Sequence, residues 1–199
     1  MILLFGLLTL GGLLYAETRG WEVGRWLFKL LCSLGYLVLA LSFGWGSSYA
    51  EWVFLGLALC FLGDVLLLSR RSRVFLAGLI AFLLGHMAFA VAFAQLGQPS
   101  AGVLGVVLLA SGAVLAWLWR YLGNWRLPVA VYMLVISLMV GLGLGVARVE
   151  VWLGTLLFYL SDLFVARQRF VVAEPINKWL GLPLYYAGVY LLAWSVRAL

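Results

Sequence analysis

The sequence predicts an all-α protein with eight membrane-spanning helices, built as a single integral membrane domain over residues 1–199. Of these 199 residues 66% are hydrophobic and 10% are charged, with a mean hydropathy of +1.14, which leaves too little polar surface for a soluble globule. The apolar residues form runs of about 20, the length that crosses a bilayer as a helix. Because these runs are continuously apolar and do not alternate, they exclude a transmembrane β-barrel.

Each predicted span is an apolar run bounded by residues typical of turns. The eight spans are residues 1–16, 26–44, 52–69, 74–96, 101–119, 128–146, 151–166 and 180–197. The first run resembles the apolar part of a signal peptide, but it lacks a basic leading segment, so we predict that it is the first helix. Glycine, proline and serine mark the breaks, and we expect residues 173–183 to form the longest loop.

Basic residues concentrate in alternate loops, which predicts the orientation of the helices because cytoplasmic loops retain Lys and Arg. Eleven of the 13 basic residues belong to one side: Arg19, Arg25, Lys29, Arg70, Arg71, Arg73, Arg120, Arg126, Arg167, Arg169 and Lys178. The other two, Arg148 and Arg197, fall on the opposite side. We therefore predict non-cytoplasmic termini in a cell membrane of the bacterial inner-membrane type. The ten tryptophans, Trp45 among them, lie at or near span ends, as interfacial residues do.

Composition also limits the ligands and partners. The net charge of +6 comes from short clusters between apolar runs, so topology explains it better than binding to nucleic acid does. Cys32 and Cys60 lie inside apolar runs, and two cysteines with one histidine make a structural zinc site improbable. We predict no metal and no cofactor, and no obligate protein partner is evident.

The two aspartates of the chain, Asp64 and Asp162, both lie inside apolar runs. They are 98 residues apart, on spans that run in the same direction, which permits a four-plus-four parallel repeat. At 1.5 Å per residue Asp64 lies about 9 Å below Arg70, and Asp162 about 7 to 8 Å below Arg167. Both carboxyl groups are therefore expected in the cytoplasmic third of the membrane.

An intramembrane carboxyl group costs about 2.5 to 3.5 kcal/mol at a helix centre, so such groups usually have a use. The structural alternative is an ion pair or an inter-helix hydrogen bond, for example between Asp64 and Lys29. Two aspartates at one depth favour a functional polar pocket instead. The other residues that we expect to line this pocket are Lys29, His86, Tyr132, Tyr159, Tyr185 and Tyr186, with His86 nearer the midplane.

A set of short elements occurs in order along the chain: Lys29 in FKLL, Gly63 and Asp64 in FLGDVLLL, Gly78, Phe82, Gly85 and His86 in AGLIAFLLGHMAFA, Tyr132 and Met139 in VYMLVISLM, and Ser161 and Asp162 in LLFYLSDLFVARQRF. Through these residues the whole chain resembles the lysoplasmalogenase family of eight-helix membrane proteins. The GD, FxxGH and SD elements are fairly specific in this order and spacing, although none is specific alone.

The resemblance implies hydrolysis of the vinyl ether bond of a lysoplasmalogen to a fatty aldehyde and a glycerophospho-choline or glycerophospho-ethanolamine. The substrate is then a single-chain lysolipid within the bilayer, with its headgroup at the cytoplasmic interface. Asp64 and Asp162 would divide the acid and base roles, as two carboxyl groups do in glycosidases. Lys29 could keep one of them ionised. Tyr132, Tyr159 and His86 could orient water or substrate, and His86 could equally be a packing residue.

Two points stay open at this stage. Arg70, Arg71, Arg167 or Arg169 either hold the lipid phosphate or only set the topology. The same aspartates could also serve a proton- or cation-coupled transporter or flippase, for which an inexact repeat is suited. A hydrolase for a different lipid bond is a third alternative, and its zinc-dependent form is disfavoured by the single histidine.

Overall fold

The structure, a computed structural model, describes residues 1–44, 46–69 and 71–198, and every regular element in these ranges is a helix. Within these ranges there are eight α-helices and no strand. The helices are α1 (Ile2–Arg19), α2 (Glu22–Leu41), α3 (Ser48–Leu66), α4 (Ser72–Ala94), α5 (Ala101–Leu122), α6 (Arg126–Leu144), α7 (Val149–Ala166) and α8 (Pro175–Trp194). The all-α prediction is confirmed. Trp45 and Arg70, to which the sequence assigned roles, lie outside the described residues.

The predicted loop at residues 173–183 is wrong, because α8 begins at Pro175 and contains Pro183. Proline suits the first helical position, since its fixed φ is helical and its missing N–H needs no partner there. A short irregular segment remains before it, after a single π-helical turn over Arg167–Val171. Helix α1 is also longer than predicted and ends where Gly20 adopts a φ of 64°.

The segment Ala101–Leu144 is a helical hairpin. The described residues contain seven helical segments that are long and apolar enough to cross a membrane, and this 44-residue segment counts as one of them. The chain reverses near Gly123, whose φ of 51° is readily adopted only by glycine. Leu104 of α5 packs on Gly141 of α6, and the two helices are therefore antiparallel.

Six helices form a closed ring in the order α2, α3, α4, α6, α7 and α8, with each helix in contact with the next and α8 in contact with α2. Helix α1 packs on α2 and α8, and α5 packs on α6. Residues at the C-terminal ends of α3 and α7 line one cavity, so these two helix ends lie at the same end of the ring. These two ends carry Asp64 and Asp162.

Glycines bring two helix pairs into close approach near the ring centre. A Cβ atom added to Gly188 on α8 would lie 2.9 Å from the Gly154 carbonyl oxygen of α7, and one added to Gly85 on α4 would lie 3.2 Å from the Gly56 carbonyl oxygen of α3. Small residues at such crossings allow helices to pack tightly in a membrane. Helix α7 therefore lies close to α8, and α3 lies close to α4.

Candidate active site between the two aspartates

A cavity of about 540 Å³ lies at the end of the ring where α3 and α7 terminate. Its volume is within the range of about 300–1,000 Å³ that is typical of small-molecule sites. The predicted site residues that line it are Lys29, Asp64, Tyr132, Tyr159, Asp162 and Tyr185. Most of the remaining lining is aliphatic or aromatic, contributed mainly by α4, α6 and α7 and by the residues just after α3. The two aspartates of the chain therefore face one largely apolar chamber.

Asp64 is held by a dense set of donors. Its Oδ2 atom accepts hydrogen bonds from the hydroxyl groups of Ser33 at 2.8 Å, Tyr185 at 2.7 Å and Tyr36 at 3.3 Å. Its Oδ1 atom lies 3.3 Å from Lys29 Nζ, which is the ion pair that the sequence suggested. The Asp64 side chain is 3% exposed. Three hydroxyl donors and an ammonium group provide what an ionised carboxylate needs when it is buried.

Asp162 has fewer partners and more open space. Its Oδ2 atom accepts a hydrogen bond of 2.7 Å from the Tyr132 hydroxyl and lies 3.7 Å from His86 Nε2. The neighbouring Ser161 hydroxyl donates to the Phe158 carbonyl oxygen. The Asp162 side chain is 18% exposed, through the cavity. This carboxyl group is therefore the more accessible of the two to a molecule in the chamber.

The two carboxyl groups have related surroundings. The Ser33 hydroxyl on α2 donates to Asp64, and the Tyr132 hydroxyl on α6 donates to Asp162. Helices α2 and α6 are the second of the four helices in the first and second halves of the chain. Each aspartate also meets a ring side chain from the fourth helix of the other half, Tyr185 on α8 or His86 on α4. The partners differ in their chemistry. Asp64 has the Lys29 ammonium group and the Tyr185 phenol beside it, whereas Asp162 has the His86 imidazole in the corresponding place.

His86 lies behind the cavity wall and is fully buried. Its ring packs 4.7 Å from that of Phe158 and 5.2 Å from that of Tyr132, and neither ring nitrogen has a hydrogen-bond partner among the described residues. The sequence suggested that His86 lies deeper than the aspartates, whereas its ring contacts Asp162.

Two other predicted site residues differ in their placement. Tyr159 lines the cavity, and its hydroxyl group lies 3.0 Å from Ser111 Oγ. Tyr186 does not line this cavity in the described structure: its hydroxyl donates to the Lys29 carbonyl oxygen at 3.4 Å, and its side chain borders a separate space of about 120 Å³. Tyr186 thus contacts the backbone of the helix that carries the lysine.

Sequence reasoning missed Ser33 and Tyr36, which contact Asp64 directly. Both follow Lys29 at intervals of four and seven residues, so a helical face through the lysine would have found them. It also missed three charged residues of the cavity wall, Glu17, Arg25 and Lys178. No local pattern indicated these, because each lies in a polar segment that reads as an ordinary loop.

The arginines considered as phosphate ligands are arranged differently from one another. Arg167 binds Glu174 and Asn177. Arg169 lines the cavity with its guanidinium 4.4 Å from the centre of the Phe75 ring. Arg71 precedes α4 and is absent from the cavity lining, and Arg70 lies outside the described residues. Among the described residues no group of three His, Cys, Asp or Glu side chains is placed to hold a metal ion.

Comparison with known proteins places this architecture among membrane proteins. Residues 24–196 match the YhhN family. Lysoplasmalogenase TMEM86A of Bos taurus is 32% identical over 183 residues, 85% of this chain and 72% of that protein. A lysoplasmalogenase of Mycobacterium tuberculosis is 33% identical over 148 residues, 69% of this chain and 56% of that protein. The uncharacterised membrane protein YhhN of Escherichia coli O157:H7 is 32% identical over 161 residues, 80% of this chain and 72% of that protein.

No solved structure matches the chain. The resemblance noted in the sequence is confirmed by the family match and by relatives at about one-third identity over most of the chain. Its apolar helices fit a multi-pass membrane protein. The chain therefore belongs to the YhhN family.

Proposed function

We propose that this protein hydrolyses the vinyl ether bond of lysoplasmalogens. The observation that carries the proposal is the pair of aspartates that face one apolar cavity with unlike partners, as two-carboxyl hydrolysis requires. The names of the related proteins support it, since those from cattle and Mycobacterium tuberculosis are named lysoplasmalogenases. A lysolipid has one apolar chain, which would lie in the apolar cavity, and a polar headgroup, which would lie at the open end of that cavity.

Asp162 is proposed as the general acid. Its proton passes to the β-carbon of the vinyl ether, where the C=C electron pair forms the new C–H bond and leaves an oxocarbenium ion. Water adds to the cationic carbon, and the proton that it loses returns to a carboxylate. The resulting hemiacetal breaks its C–O bond as the glycerol oxygen takes a proton, which releases the aldehyde and the glycerophospho-alcohol. The atoms and electrons of these steps balance without a metal ion or a redox partner.

Asp64 is proposed as the ionised partner. Its three hydroxyl donors and Lys29 fit a carboxylate that keeps its charge while the oxocarbenium ion forms. A fixed negative charge in a water-poor site stabilises developing positive charge without reorganisation of solvent. Tyr132 would orient the acid through its hydrogen bond to Asp162. Tyr159 would border the path of water or substrate, since it lines the same chamber.

We further propose that all eight helices cross the membrane, with both termini on the non-cytoplasmic side and the cavity open to the cytoplasmic leaflet. The hairpin of α5 and α6 supports eight crossings, since each helix alone is about 30 Å long. The excess of basic residues at the cavity end supports this orientation. The related surroundings of the two aspartates support a four-plus-four parallel repeat.

The comparisons do not favour the transporter alternative, because the relatives whose names state an activity are named as this hydrolase. The test is aldehyde release by purified protein in detergent. A 1-alkenyl lysophosphatidylethanolamine and a 1-acyl lysophosphatidylethanolamine of equal chain length are assayed in parallel. Aldehyde from the first lipid without fatty acid from the second is expected. Fatty acid from the second lipid alone would identify a lysolipid esterase instead.

The proposed protonation at carbon has its own signature. In D₂O the aldehyde, trapped and reduced as it forms, is expected to carry one deuterium at carbon 2. Turnover is also expected to slow, because the proton moves in the step with the highest barrier. An aldehyde without deuterium at carbon 2 contradicts the mechanism even if the reaction occurs. The same lipid incubated with protein-free detergent gives the background.

A further inference from the structure

A charged cluster borders the mouth of the cavity and takes no part in the chemistry described above. Glu17 on α1 lies between two cations, with Lys178 Nζ of α8 at 2.7 Å and Arg25 Nε of α2 at 3.8 Å. All three residues line the cavity. Their side chains are 16%, 41% and 17% exposed, so the cluster lies between the buried carboxylate of the interior and the solvent. Three separate helices are joined at this point.

The charges of this cluster do not cancel. Two cations share one carboxylate, which leaves one positive charge at the mouth. Arg169 lines the same cavity, and its guanidinium lies against the Phe75 ring and 3.5 Å from Ser72 Oγ. Unbalanced charge at the edge of a low-dielectric chamber attracts an anion, and Arg and Lys are the usual ligands of phosphate.

The spacing along α2 relates this cluster to the reacting groups. Arg25 and Lys29 are four residues apart on one helical face, which corresponds to a rise of about 6 Å. Lys29 is the residue paired with Asp64. In a lysoplasmalogen one oxygen and three carbons separate phosphorus from the ether oxygen, a reach comparable with one helical turn. A phosphate held at Arg25 would therefore leave the vinyl ether at the level of the aspartates.

We propose that Arg25 and Lys178 form the binding site for the phosphodiester of the lysolipid, with Glu17 as the residue that positions both cations. This proposal rests on the proposed function for the identity of the lipid. It names residues other than the arginines that follow the third and seventh helices. The anion displaces part of the Glu17 contact and is neutralised by the excess charge.

The test compares lipids with and without phosphate. Arg25→Gln and Lys178→Gln are each assayed with a 1-alkenyl lysophosphatidylethanolamine and with the 1-alkenylglycerol of the same chain length. KM for the phospholipid is expected to rise about tenfold, equivalent to about 1.4 kcal/mol. KM for the alkenylglycerol and kcat for both lipids are expected to change less than twofold. Arg25→Lys and Lys178→Arg are expected to retain most of the phospholipid affinity.

A binding measurement separates this proposal from the proposed function. The saturated 1-alkyl lysophosphatidylethanolamine cannot be hydrolysed by this route, and its Kd is expected to rise about tenfold in both Gln variants. Arg120→Gln is the matched control, because Arg120 lies at the same end of the bundle over Tyr121 and outside the cavity lining.

The outcomes are distinguishable. An unchanged Kd, or an equal loss of affinity for the alkylglycerol without phosphate, overturns the assignment of Arg25 and Lys178. If wild-type protein releases no aldehyde, the hydrolase proposal fails and the Kd comparison alone decides whether this is a phosphate site. If thermal melting shows that Arg25→Gln is unfolded, the test is made with Lys178→Gln alone, because the Lys178 side chain is the more exposed of the two.

Discussion

Asp64 and Asp162 occupy equivalent places in the chain and different chemical environments. Each lies near the C-terminal end of the third helix of its half, after a small residue in an apolar run. Asp64 has a lysine and three hydroxyl groups around it and is 3% exposed. Asp162 accepts a hydrogen bond from the Tyr132 hydroxyl and is 18% exposed. It lies beside the His86 ring, whose nitrogens have no hydrogen-bond partner among the described residues.

Under the proposed mechanism, this difference would let two aspartates serve two roles. A carboxyl group surrounded by donors is suited to stay ionised, and one with few donors next to open space is suited to exchange a proton with a ligand. The division does not need different residues at the two positions. It needs different neighbours, which come from other helices.

The largest effect is expected from the aspartates themselves. Asp162→Asn removes the proposed acid and is expected to lower kcat for the vinyl ether by about 10²- to 10⁴-fold. Asp64→Asn removes the fixed charge and is expected to lower kcat by about 10²- to 10³-fold. Aldehyde release under saturating lipid measures both. Glu51→Gln, at the exposed start of α3, is the control. Wild-type turnover in both Asn variants would remove the basis of the mechanism.

An intermediate effect is expected from Lys29→Met, which leaves a buried carboxylate without its cation. Removal of one partner of a buried ion pair costs about 3 kcal/mol or more, so the melting temperature in detergent is expected to fall and turnover to drop with it. The double variant Lys29→Met with Asp64→Asn is expected to recover stability without activity, because no unpaired charge remains. A double variant that melts as low as Lys29→Met would show that the lysine acts through packing.

The smallest effects are expected from single hydroxyl groups, and they compare the two environments directly. Tyr132→Phe removes the hydroxyl donor that Asp162 has in the described structure, and kcat is expected to fall about tenfold. Tyr185→Phe removes one of three donors to Asp64, and a fall of about threefold or less is expected. The exposed Tyr121→Phe is the control. The reverse order of effects would mean that the roles of the aspartates are exchanged.

Much of the fold was predictable because it depends on local composition. Apolar runs of helical length predicted the helices, and errors were confined to their ends, as at Pro175. The wrong loop arose because two prolines and an asparagine are typical of turns. In the structure Pro175 begins a helix, where proline is favoured, and Pro183 lies inside that helix, where proline is usually disfavoured.

The candidate site was predictable only in part. Charged or polar side chains inside apolar spans are conspicuous, so Lys29, Asp64, Tyr132 and Asp162 could be selected from sequence, and they line one cavity. Glu17, Arg25 and Lys178 could not be selected in this way. Their segments are polar whether or not they border a cavity, and the Glu17–Lys178 contact joins residues 161 positions apart.

The sequence by itself determined that the chain is helical, that its helices are apolar enough for a membrane, and that two carboxyl groups lie near the same end of two parallel helices. These properties follow from residue type and helical rise alone. Only the tertiary structure decided which hydroxyl groups surround Asp64 and that the imidazole lies beside Asp162. Two donors to Asp64, Ser33 and Tyr185, lie 31 and 121 residues away in the chain. Contacts over such separations depend on how the helices pack, which residue type and helical rise do not specify.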